Sequence, residues 1–147
     1  INRRGNVDDK NTVSDYRDIE LERQNSIYST VLYAEYEGVK FNIIDCPGFD
    51  DFIGEVVGAL RVADTAVMVL NAQNGVDVGA EIQWRWIKKM KKPAVFVVNQ
   101  LEHDKANFDE MMRQLKQYFG NSVTTIQYPI NAGIGFDTII DVLKNAF

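Results

Sequence analysis

The hydrophobic positions of this chain follow strand and helix periods in turn from about residue 28 onwards. Runs rich in aromatic and β-branched residues predict strands at 28–36, 39–44, 65–70, 94–98 and within 122–129. Glu37-Gly38 separates the first two runs and predicts the turn of a β-hairpin. The runs at 65–70 and 94–98 are uninterrupted, which is typical of strands that are covered on both faces.

Apolar residues at helical spacing lie between and after these strands. Their stripes predict helices that carry Phe52 to Ala63, Ile82 to Met90, Phe108 to Phe119 and Phe136 to Phe147. Pro93 and Gly120 are expected to stop the second and third helices. Trp86 lies on the second stripe and is expected in the core, whereas Trp84 lies off it and is expected to be partly exposed. Strands that alternate with helices predict an α/β fold: a doubly wound, mostly parallel sheet with an antiparallel hairpin at one edge.

Residues 1–25 show neither a strand period nor a helix period. Charged side chains are dense in this part of the chain, at Asp8-Asp9-Lys10 and at 17–23. We therefore interpret it as an exposed, mobile segment.

Composition and charge exclude several classes of function. The 147 residues are 46% hydrophobic and 25% charged, which is ordinary for one globular domain or a piece of one. No apolar run is long enough to span a bilayer and no signal peptide is visible, so no membrane partner is expected. The net charge of −5 gives no support to binding DNA or other nucleic acids through a basic surface. The single Cys46 excludes an internal disulfide and fits a reducing, cytoplasmic location.

Asp45-Cys46-Pro47-Gly48-Phe49 directly follows the strand that ends at Ile44. It is similar to the Asp-x-Pro-Gly element of GTP-binding domains, where the last phosphate of the nucleotide is sensed. In that element the aspartate holds Mg²⁺ through water, and the glycine lets its N–H approach the γ-phosphate. The same residues also suit an ordinary turn, because proline presets φ and glycine relaxes the next position.

A second polar stretch, Asn99-Gln100-Leu101-Glu102, follows the strand that ends at Val98. It lies 54 positions after Asp45, with a helix, a strand, a helix and a strand between them. GTP-binding domains carry Asn-Lys-x-Asp after the same series of elements. There the aspartate accepts hydrogen bonds from guanine N1–H and the 2-amino group, which adenine does not offer. The order and spacing of the two stretches favour a nucleotide site over two unrelated turns.

With these motifs in place, nearly the whole chain resembles the GTP-binding domain of elongation factor G, the ribosomal translocase. Residues 8–9, 12–16 and 20–23 look like the first switch of that family, and 51–64 looks like the helix after its second switch. The opening segment looks closest to a divergent paralogue class. The resemblance implies a P-loop GTPase-like domain with GTP or GDP and Mg²⁺ as ligands and the ribosome as partner. Residues 1–27 would then be a mobile segment of the first-switch type.

The resemblance assigns roles to individual residues. It places at the nucleotide Asp45, Gly48, Asn99, Gln100 and Glu102, and at the metal Ser26 and Asp45. Ser26 keeps the hydroxyl of the family's threonine, whereas Gln24 replaces the glycine of its first switch. No catalytic residue is assigned, because Phe49 occupies the position of the histidine that orients the hydrolytic water.

The departures from the family weaken the expected chemistry. Phe49 neither donates nor accepts a hydrogen bond, and losing a positioned acid–base group typically costs about 10²–10⁴ in rate. Asp50 is the alternative water-positioning residue. Gln100 replaces lysine and Glu102 replaces aspartate, which moves the carboxylate out by one methylene. Partial loss of such charged hydrogen bonds is expected to weaken guanine binding about tenfold or more.

No Gly-x-x-x-x-Gly-Lys-Ser/Thr occurs in the sequence, and the chain begins with Ile1. We interpret residues 1–147 as part of one GTP-binding domain, whose phosphate-binding loop and later domains lie outside this chain. The expected function is that of a ribosome-associated elongation (translocation) factor with hydrolysis impaired or absent, so the sequence leaves open whether it is an enzyme. The alternatives are an active translational GTPase, including tetracycline-type ribosome-protection proteins, and a non-catalytic pseudo-GTPase interaction module. The ribosome-protection proteins keep the histidine and Asn-Lys-x-Asp, so they fit less well.

Overall fold

The computed structural model describes residues 5–144, which divide after Asp64 into two compact units. The first unit contains α1 (Asp18–Arg23), β1 (Thr30–Tyr36), β2 (Val39–Asp45), a 3₁₀ turn (Asp50–Phe52) and α2 (Ile53–Val62). The second contains β3 (Ala66–Asn71), α3 (Val78–Lys89), β4 (Ala94–Asn99), α4 (Phe108–Phe119), β5 (Gln127–Pro129) and β6 (Ile139–Asp141). This is the predicted α/β class, with its strands in three two-stranded sheets over the described range. None of the helices between residues 5 and 144 has the length and apolar character that crossing a bilayer requires.

β1 and β2 form the predicted hairpin. They pair antiparallel along their whole length, with Thr30 opposite Asp45. Glu37 and Gly38 connect them, and both have positive φ angles, 49° and 76°. Two-residue turns with this geometry match the right-handed twist of paired strands. The register therefore sets Asp45 at the end of the hairpin away from the turn, beside the first residue of β1.

The segment before β1 contains a helix that the hydrophobic pattern does not predict. α1 has six residues, and its buried residue is the charged Glu20. So short a helix carries no repeating apolar stripe, and a buried carboxylate is invisible to a hydrophobic pattern. Gln24 follows the helix with φ 55° and ψ 34°, the left-handed conformation for which glycine is the usual residue. The absence of a helix period within residues 1–25 was therefore a wrong guide at Asp18–Arg23.

β3 and β4 form a parallel pair in which Asn71 lies opposite Asn99. One face of the pair packs against α3 and α4. The buried apolar side chains of these four elements are Met68, Leu70, Ala80, Ile87, Phe108, Met111, Leu115 and Phe119. An aromatic cluster joins the layers, because Phe96 of β4 lies 5.5 Å from Trp84 and 5.1 Å from Phe119 between ring centroids.

Trp84 and Trp86 are both partly exposed, which confirms the expectation for Trp84 and contradicts the core position expected of Trp86. Trp84 also contacts Phe119, at 5.0 Å between ring centroids, and so belongs to the aromatic cluster. Trp86 instead lies beneath the Lys89 ammonium, which is 4.5 Å from its ring centroid. Ile87, which the same helical stripe predicts to be buried, is buried, whereas Trp86 is only partly so.

The other face of the β3–β4 pair is exposed over the described part of the chain. Val67 and Val69 keep 62% and 64% of their accessible surface, and Val95 and Val97 keep 42% each. The prediction that both strands are covered on two faces is therefore wrong for residues 5–144. The helices contact the face that carries Phe96 and Met68, so alternate side chains of each strand point away from them.

The predicted last helix is a strand. Ile139–Asp141 forms β6, which pairs antiparallel with Gln127–Pro129, the only part of 122–129 that becomes a strand in the structure. The Val142 N–H extends this pairing by donating to the Ile126 carbonyl at 3.0 Å. Apolar spacing at 136, 139, 140 and 143 also suits a helix, but pairing with a distant segment decides otherwise. Phe147, the last residue of the predicted stripe, lies outside the described residues.

The turn after β3 makes glycine necessary at position 75. Gly75 has φ +73°, and a Cβ there would overlap the side-chain oxygen of Gln114, which accepts the Val76 N–H at 2.8 Å. Gly75→Ala is expected to lower the free energy of unfolding by about 1–2 kcal/mol. Gly58→Ala, within α2 and with open space around its Cβ in the described structure, is expected to raise it by about 0.5–1 kcal/mol. Urea unfolding of both variants checks the pair, and a stabilised Gly75→Ala would contradict this account of the turn.

Candidate functional site

Asp45 lies where the sequence predicts it, at the carboxyl end of β2. It is half-buried, and the loop that follows contains a buried Pro47 and an exposed Gly48. Pairing with Thr30 brings the Asp45 backbone to the first residue of β1, four residues after Ser26. The hairpin therefore brings the Asp-x-Pro-Gly loop alongside the segment that joins α1 to β1.

Ser26 lies in that segment, which carboxylates hold by its backbone. The Ile27 and Tyr28 N–H groups both donate to Oε1 of Glu20, at 3.0 and 3.1 Å. The next N–H, that of Ser29, donates to Oε2 of Glu55 at 2.7 Å. Three consecutive peptide groups after Ser26 are thus bound by acidic side chains from α1 and α2.

A side-chain contact links this segment directly to the Asp-x-Pro-Gly loop. The Ser29 hydroxyl donates to Sγ of Cys46 at 3.7 Å. Partial burial, with the neighbouring carboxylates Asp45 and Glu55, raises the pKa of the Cys46 thiol despite that hydrogen bond. Cys46 is therefore a half-buried, unreactive thiol in a packing role.

Glu20 and Glu55 are parts of the site to which sequence reasoning gave no role. Burial opposes ionisation of Glu20, which is only 1% exposed. The N–H groups of Ile27, Tyr28 and Arg17 and the Arg17 guanidinium outweigh burial and lower the pKa of Glu20. The pKa of Glu55 is also lowered, chiefly by the hydrogen bonds from Ser29. The signal for Glu20 was only a dense run of charges, which does not distinguish a buried carboxylate from a solvated one, and Glu55 stands outside that run.

Glu20→Gln is expected to destabilise the chain most near neutral pH, by about 1.5–3 kcal/mol. The unfolded Glu20 takes up its proton near the ordinary pKa of 4.5 and the folded one only below that, so its contribution is complete above 4.5. The contribution is lost as the pH falls through the lowered pKa. Urea unfolding at several pH values, with the exposed Glu22→Gln as control, measures this. A difference from the unsubstituted chain that is the same at all pH values would contradict it.

At the other predicted position, the end of β4, Asn99-Gln100-Leu101-Glu102 forms a loop anchored by a buried Leu101. Leu101 belongs to a cluster with Ala72 and Phe108, and its carbonyl accepts the Gly133 N–H at 2.7 Å. Glu102 is exposed beside this anchor. The loop is therefore fixed by its third residue and presents its fourth to solvent.

Amide side chains hold Gln100 in one orientation. Its Oε1 accepts hydrogen bonds from Asn71 Nδ2 at 2.7 Å and Gln73 Nε2 at 3.0 Å. The Gln73 backbone N–H donates to Asn71 Oδ1 at 2.8 Å, and a backbone N–H can only donate. This fixes Asn71 Nδ2 as the donor and the Gln100 atom as oxygen. The Gln100 backbone is left-handed, with φ +60°.

Phe49 is exposed at 59%, directly before the 3₁₀ turn. The Phe49 carbonyl accepts a hydrogen bond from the Phe52 N–H at 3.0 Å, which fixes the backbone. The exposed ring does not pack in the core. Asp50, the alternative water-positioning residue, is exposed next to it. Neither residue is constrained by packing to its present identity.

The oxygens of Ser26 and Asp45 are hard ligands, of the kind that Mg²⁺ prefers. Over residues 5–144, no three His, Cys, Asp or Glu side chains cluster as a metal site. A cation held here would take few protein ligands, which suits Mg²⁺, because it keeps several waters and binds phosphate oxygens. The donor set therefore fits the metal that the resemblance implies.

Each of the two predicted loops follows the carboxyl end of a strand, and the chain that carries them is an α/β domain of the P-loop GTPase class. The sequence profile of the family described as "Elongation factor Tu GTP binding domain" matches residues 1–146. The chain belongs to this family.

Curated relatives agree with this family. The chain is 37% identical over 130 residues, 88% of its length, to an elongation factor G-like protein of Thermotoga maritima. It is 33% identical over 91% of its length to an elongation factor G-like protein of Mycobacterium tuberculosis. Elongation factor G of Mycoplasma genitalium is 36% identical over the whole chain. The chain spans 19–22% of the length of these relatives.

A solved structure agrees in fold. A crystal structure of a protein from Thermus thermophilus matches 98% of this chain with a TM-score of 0.90 and 30% sequence identity. The matched part is 22% of that chain. These comparisons show an elongation factor G-like GTP-binding family for the chain, and the roles of single residues stay predictions.

Proposed function

We propose that this chain is part of the GTP-binding domain of a ribosome-associated translation factor of the elongation factor G type, with GTP hydrolysis impaired or absent. The observation that carries the second part is Phe49. An exposed phenyl ring stands where the family has a histidine, and it has no group that can orient water. The expected location is the cytoplasm, and the expected partners are a guanine nucleotide and the ribosome.

The proposed phosphate side consists of Ser26, Asp45 and Gly48. Asp45 would hold Mg²⁺ through water and Ser26 through its hydroxyl, and the bound ion would neutralise phosphate charge. Gly48 is exposed, and apart from Gly48 and its two chain neighbours no heavy atom of the described structure lies within 4 Å of the position a Cβ would take. A glycine at this position puts no side chain in the way of a γ-phosphate oxygen that approaches its N–H.

The proposed base side consists of Asn99, Gln100 and Glu102. Glu102 would accept hydrogen bonds from guanine N1–H and the 2-amino group, with a longer side chain than the family's aspartate. Gln100 is neutral where the family has a cation, and its carboxamide is already engaged by Asn71 and Gln73. Guanine binding is therefore expected to be retained but weakened about tenfold or more.

If hydrolysis is impaired, the bound nucleotide would act as a ligand that stays intact and is not converted to product. With the attacking water unoriented, the rate is expected to fall by about 10²–10⁴ relative to a family member that has the histidine. Such a factor would promote translocation through binding energy and shape, with the nucleotide stabilising one conformation.

Two measurements on the full-length protein test this proposal. Co-sedimentation with ribosomes, with GDP, with a non-hydrolysable GTP analogue and without nucleotide, is expected to show nucleotide-dependent association. Ribosome-stimulated phosphate release is expected to be far slower than that of an ordinary translocase. Release at an ordinary rate would refute impaired hydrolysis, and absence of association under every condition would favour a module that has left the ribosome.

The exposed Asp50 beside Phe49 gives the alternative of an active GTPase its one specific support. If Asp50 orients the water, Asp50→Asn would abolish phosphate release that is otherwise near the ordinary rate.

A further inference from the structure

The segment that carries Ser26 is held by charge and not by strand pairing. β1 begins at Thr30, so the N–H groups of residues 27–29 precede the hairpin ladder. They donate instead to Glu20 and Glu55, which belong to α1 and α2. The two carboxylates thus accept the hydrogen bonds that the carbonyl groups of a neighbouring strand would otherwise accept.

Hydrogen bonds and a neighbouring guanidinium hold the Glu20 carboxylate in this position. Both of its oxygens are used, since Oε1 accepts from Ile27 and Tyr28 and Oε2 accepts the Arg17 N–H at 3.4 Å. The Arg17 guanidinium lies 3.9 Å from the ring centroid of Tyr28, whose N–H donates to Glu20. A carboxylate that is 1% exposed is retained in a protein only where such partners compensate its desolvation.

Glu55 ties the same segment to the other side of the proposed phosphate site. It lies in α2, the helix that follows the Asp45–Gly48 loop. Its bond to the Ser29 N–H, at 2.7 Å, has the length of a charge-assisted hydrogen bond. The Ser29 hydroxyl meanwhile contacts Cys46 of that loop. A displacement of α2 must therefore break the Ser29–Glu55 bond or carry Ser29 with it.

Because peptide units are planar, these hydrogen bonds also restrict the backbone next to Ser26. The Ile27 N–H and the Ser26 carbonyl belong to one planar peptide unit, so fixing that N–H fixes the orientation of the plane that follows the Ser26 Cα. The next two planes are fixed in the same way by Tyr28 and Ser29. The Ser26 hydroxyl is then left with little freedom beyond its own φ and χ1.

We propose that Glu20 and Glu55 are positioning residues that hold the backbone of residues 27–29 and thereby place the Ser26 hydroxyl beside the Asp45 loop. The role of Ser26 as a ligand of Mg²⁺ rests on the proposed function. The hold on the backbone does not, because it is made within the protein. The two claims are therefore tested by different measurements.

Hydrogen–deuterium exchange in the full-length protein tests the hold itself. Glu20→Gln removes the negative charge, so even where the amide oxygen still accepts from Ile27 and Tyr28 these hydrogen bonds are no longer charge-assisted, and the NH₂ group then faces the Arg17 N–H. Exchange at Ile27 and Tyr28 is expected to become about tenfold faster in Glu20→Gln, and exchange at Ser29 about tenfold faster in Glu55→Ala. Glu22→Gln, an exposed carboxylate on α1, is the matched control and should change neither.

Binding of Mg²⁺ to the complex with a non-hydrolysable GTP analogue tests the consequence. Glu20→Gln is expected to weaken the apparent Mg²⁺ affinity about tenfold and to leave nucleotide affinity in EDTA unchanged. Unchanged exchange at residues 27–29 in both variants would overturn the hold. Faster exchange with unchanged Mg²⁺ affinity would overturn the placement of Ser26.

The remaining outcomes also decide. If Glu20→Gln does not fold, exchange at Ser29 and the apparent Mg²⁺ affinity are both measured in Glu55→Ala. If the unsubstituted protein binds no nucleotide, the proposed function and the role of Ser26 fail together, and the exchange measurement still decides whether the carboxylates hold the backbone.

Discussion

Replacing Phe49 with histidine is expected to raise ribosome-stimulated GTP hydrolysis by about 10²–10⁴-fold. Imidazole can accept a proton from water and orient it, whereas a phenyl ring can do neither. Phe49 is exposed and its backbone is fixed by the hydrogen bond from Phe52, so the substitution costs little packing. Phosphate release under single-turnover conditions measures the effect, because it separates chemistry from product release.

The control for this substitution is Phe49→Leu, which changes size without adding a hydrogen-bonding group and is expected to leave the rate unchanged. Equal rates for Phe49→His and Phe49→Leu would mean that the missing histidine does not limit hydrolysis. In that case phosphate release is measured in Asp50→Asn. A loss of release would mean that Asp50 orients the water in place of the histidine, and an unchanged slow rate would mean that the site lacks further catalytic groups.

Replacing Glu102 with aspartate is expected to tighten GDP binding about tenfold. Leu101 is buried and anchors the loop, so the backbone at Glu102 does not readily shift to absorb the extra methylene. Shortening the side chain is then the direct route to a two-hydrogen-bond contact with guanine. Competition between GDP and ADP for the full-length protein measures both affinity and base selectivity.

Two further variants qualify this result. Glu35→Asp makes the same change at an exposed position of β1 and should leave GDP affinity unaltered. Gln100→Lys is expected to gain less than Glu102→Asp, because lysine cannot accept the hydrogen bonds that Asn71 and Gln73 now donate. A Glu102→Asp variant with unchanged GDP affinity would mean that Glu102 does not contact the base.

Much of the fold could be predicted because its main elements are long and strongly periodic. The hairpin with its Glu37-Gly38 turn, β3, β4 and the two 12-residue helices α3 and α4 lie close to their predicted places. Each of these has a repeating pattern or a turn with few conformational choices.

The errors have a common physical cause, which is pairing or packing with residues outside the element whose pattern was used. β6 takes its strand conformation from Gln127–Pro129, although its apolar spacing alone also suits a helix. α1 is defined by one buried carboxylate whose partners, Ile27 and Tyr28, lie outside the helix. The exposed valines of β3 and β4 look in sequence like the buried residues between them.

The candidate site divides in the same way. Asp45, Gly48, Asn99 and Glu102 could be located because motif and strand ends coincide. Glu20, Glu55, Asn71 and Gln73 could not, because they act through hydrogen bonds to backbone or amide groups, and such bonds leave no spacing rule in the sequence. Residues that are predicted to touch a ligand are thus easier to locate from the sequence than residues that hold them in place.

The aromatic cluster of the second unit has a spectroscopic consequence. Both tryptophans of the chain, Trp84 and Trp86, belong to that unit, whereas four of the six tyrosines lie before Asp64. Tryptophan fluorescence therefore reports the environment of α3. It does not detect unfolding that is confined to the hairpin and α1, whereas tyrosine signals do. Coincident transitions by the two probes would mean that both units melt as one cooperative body, and separated transitions that each has its own melting point.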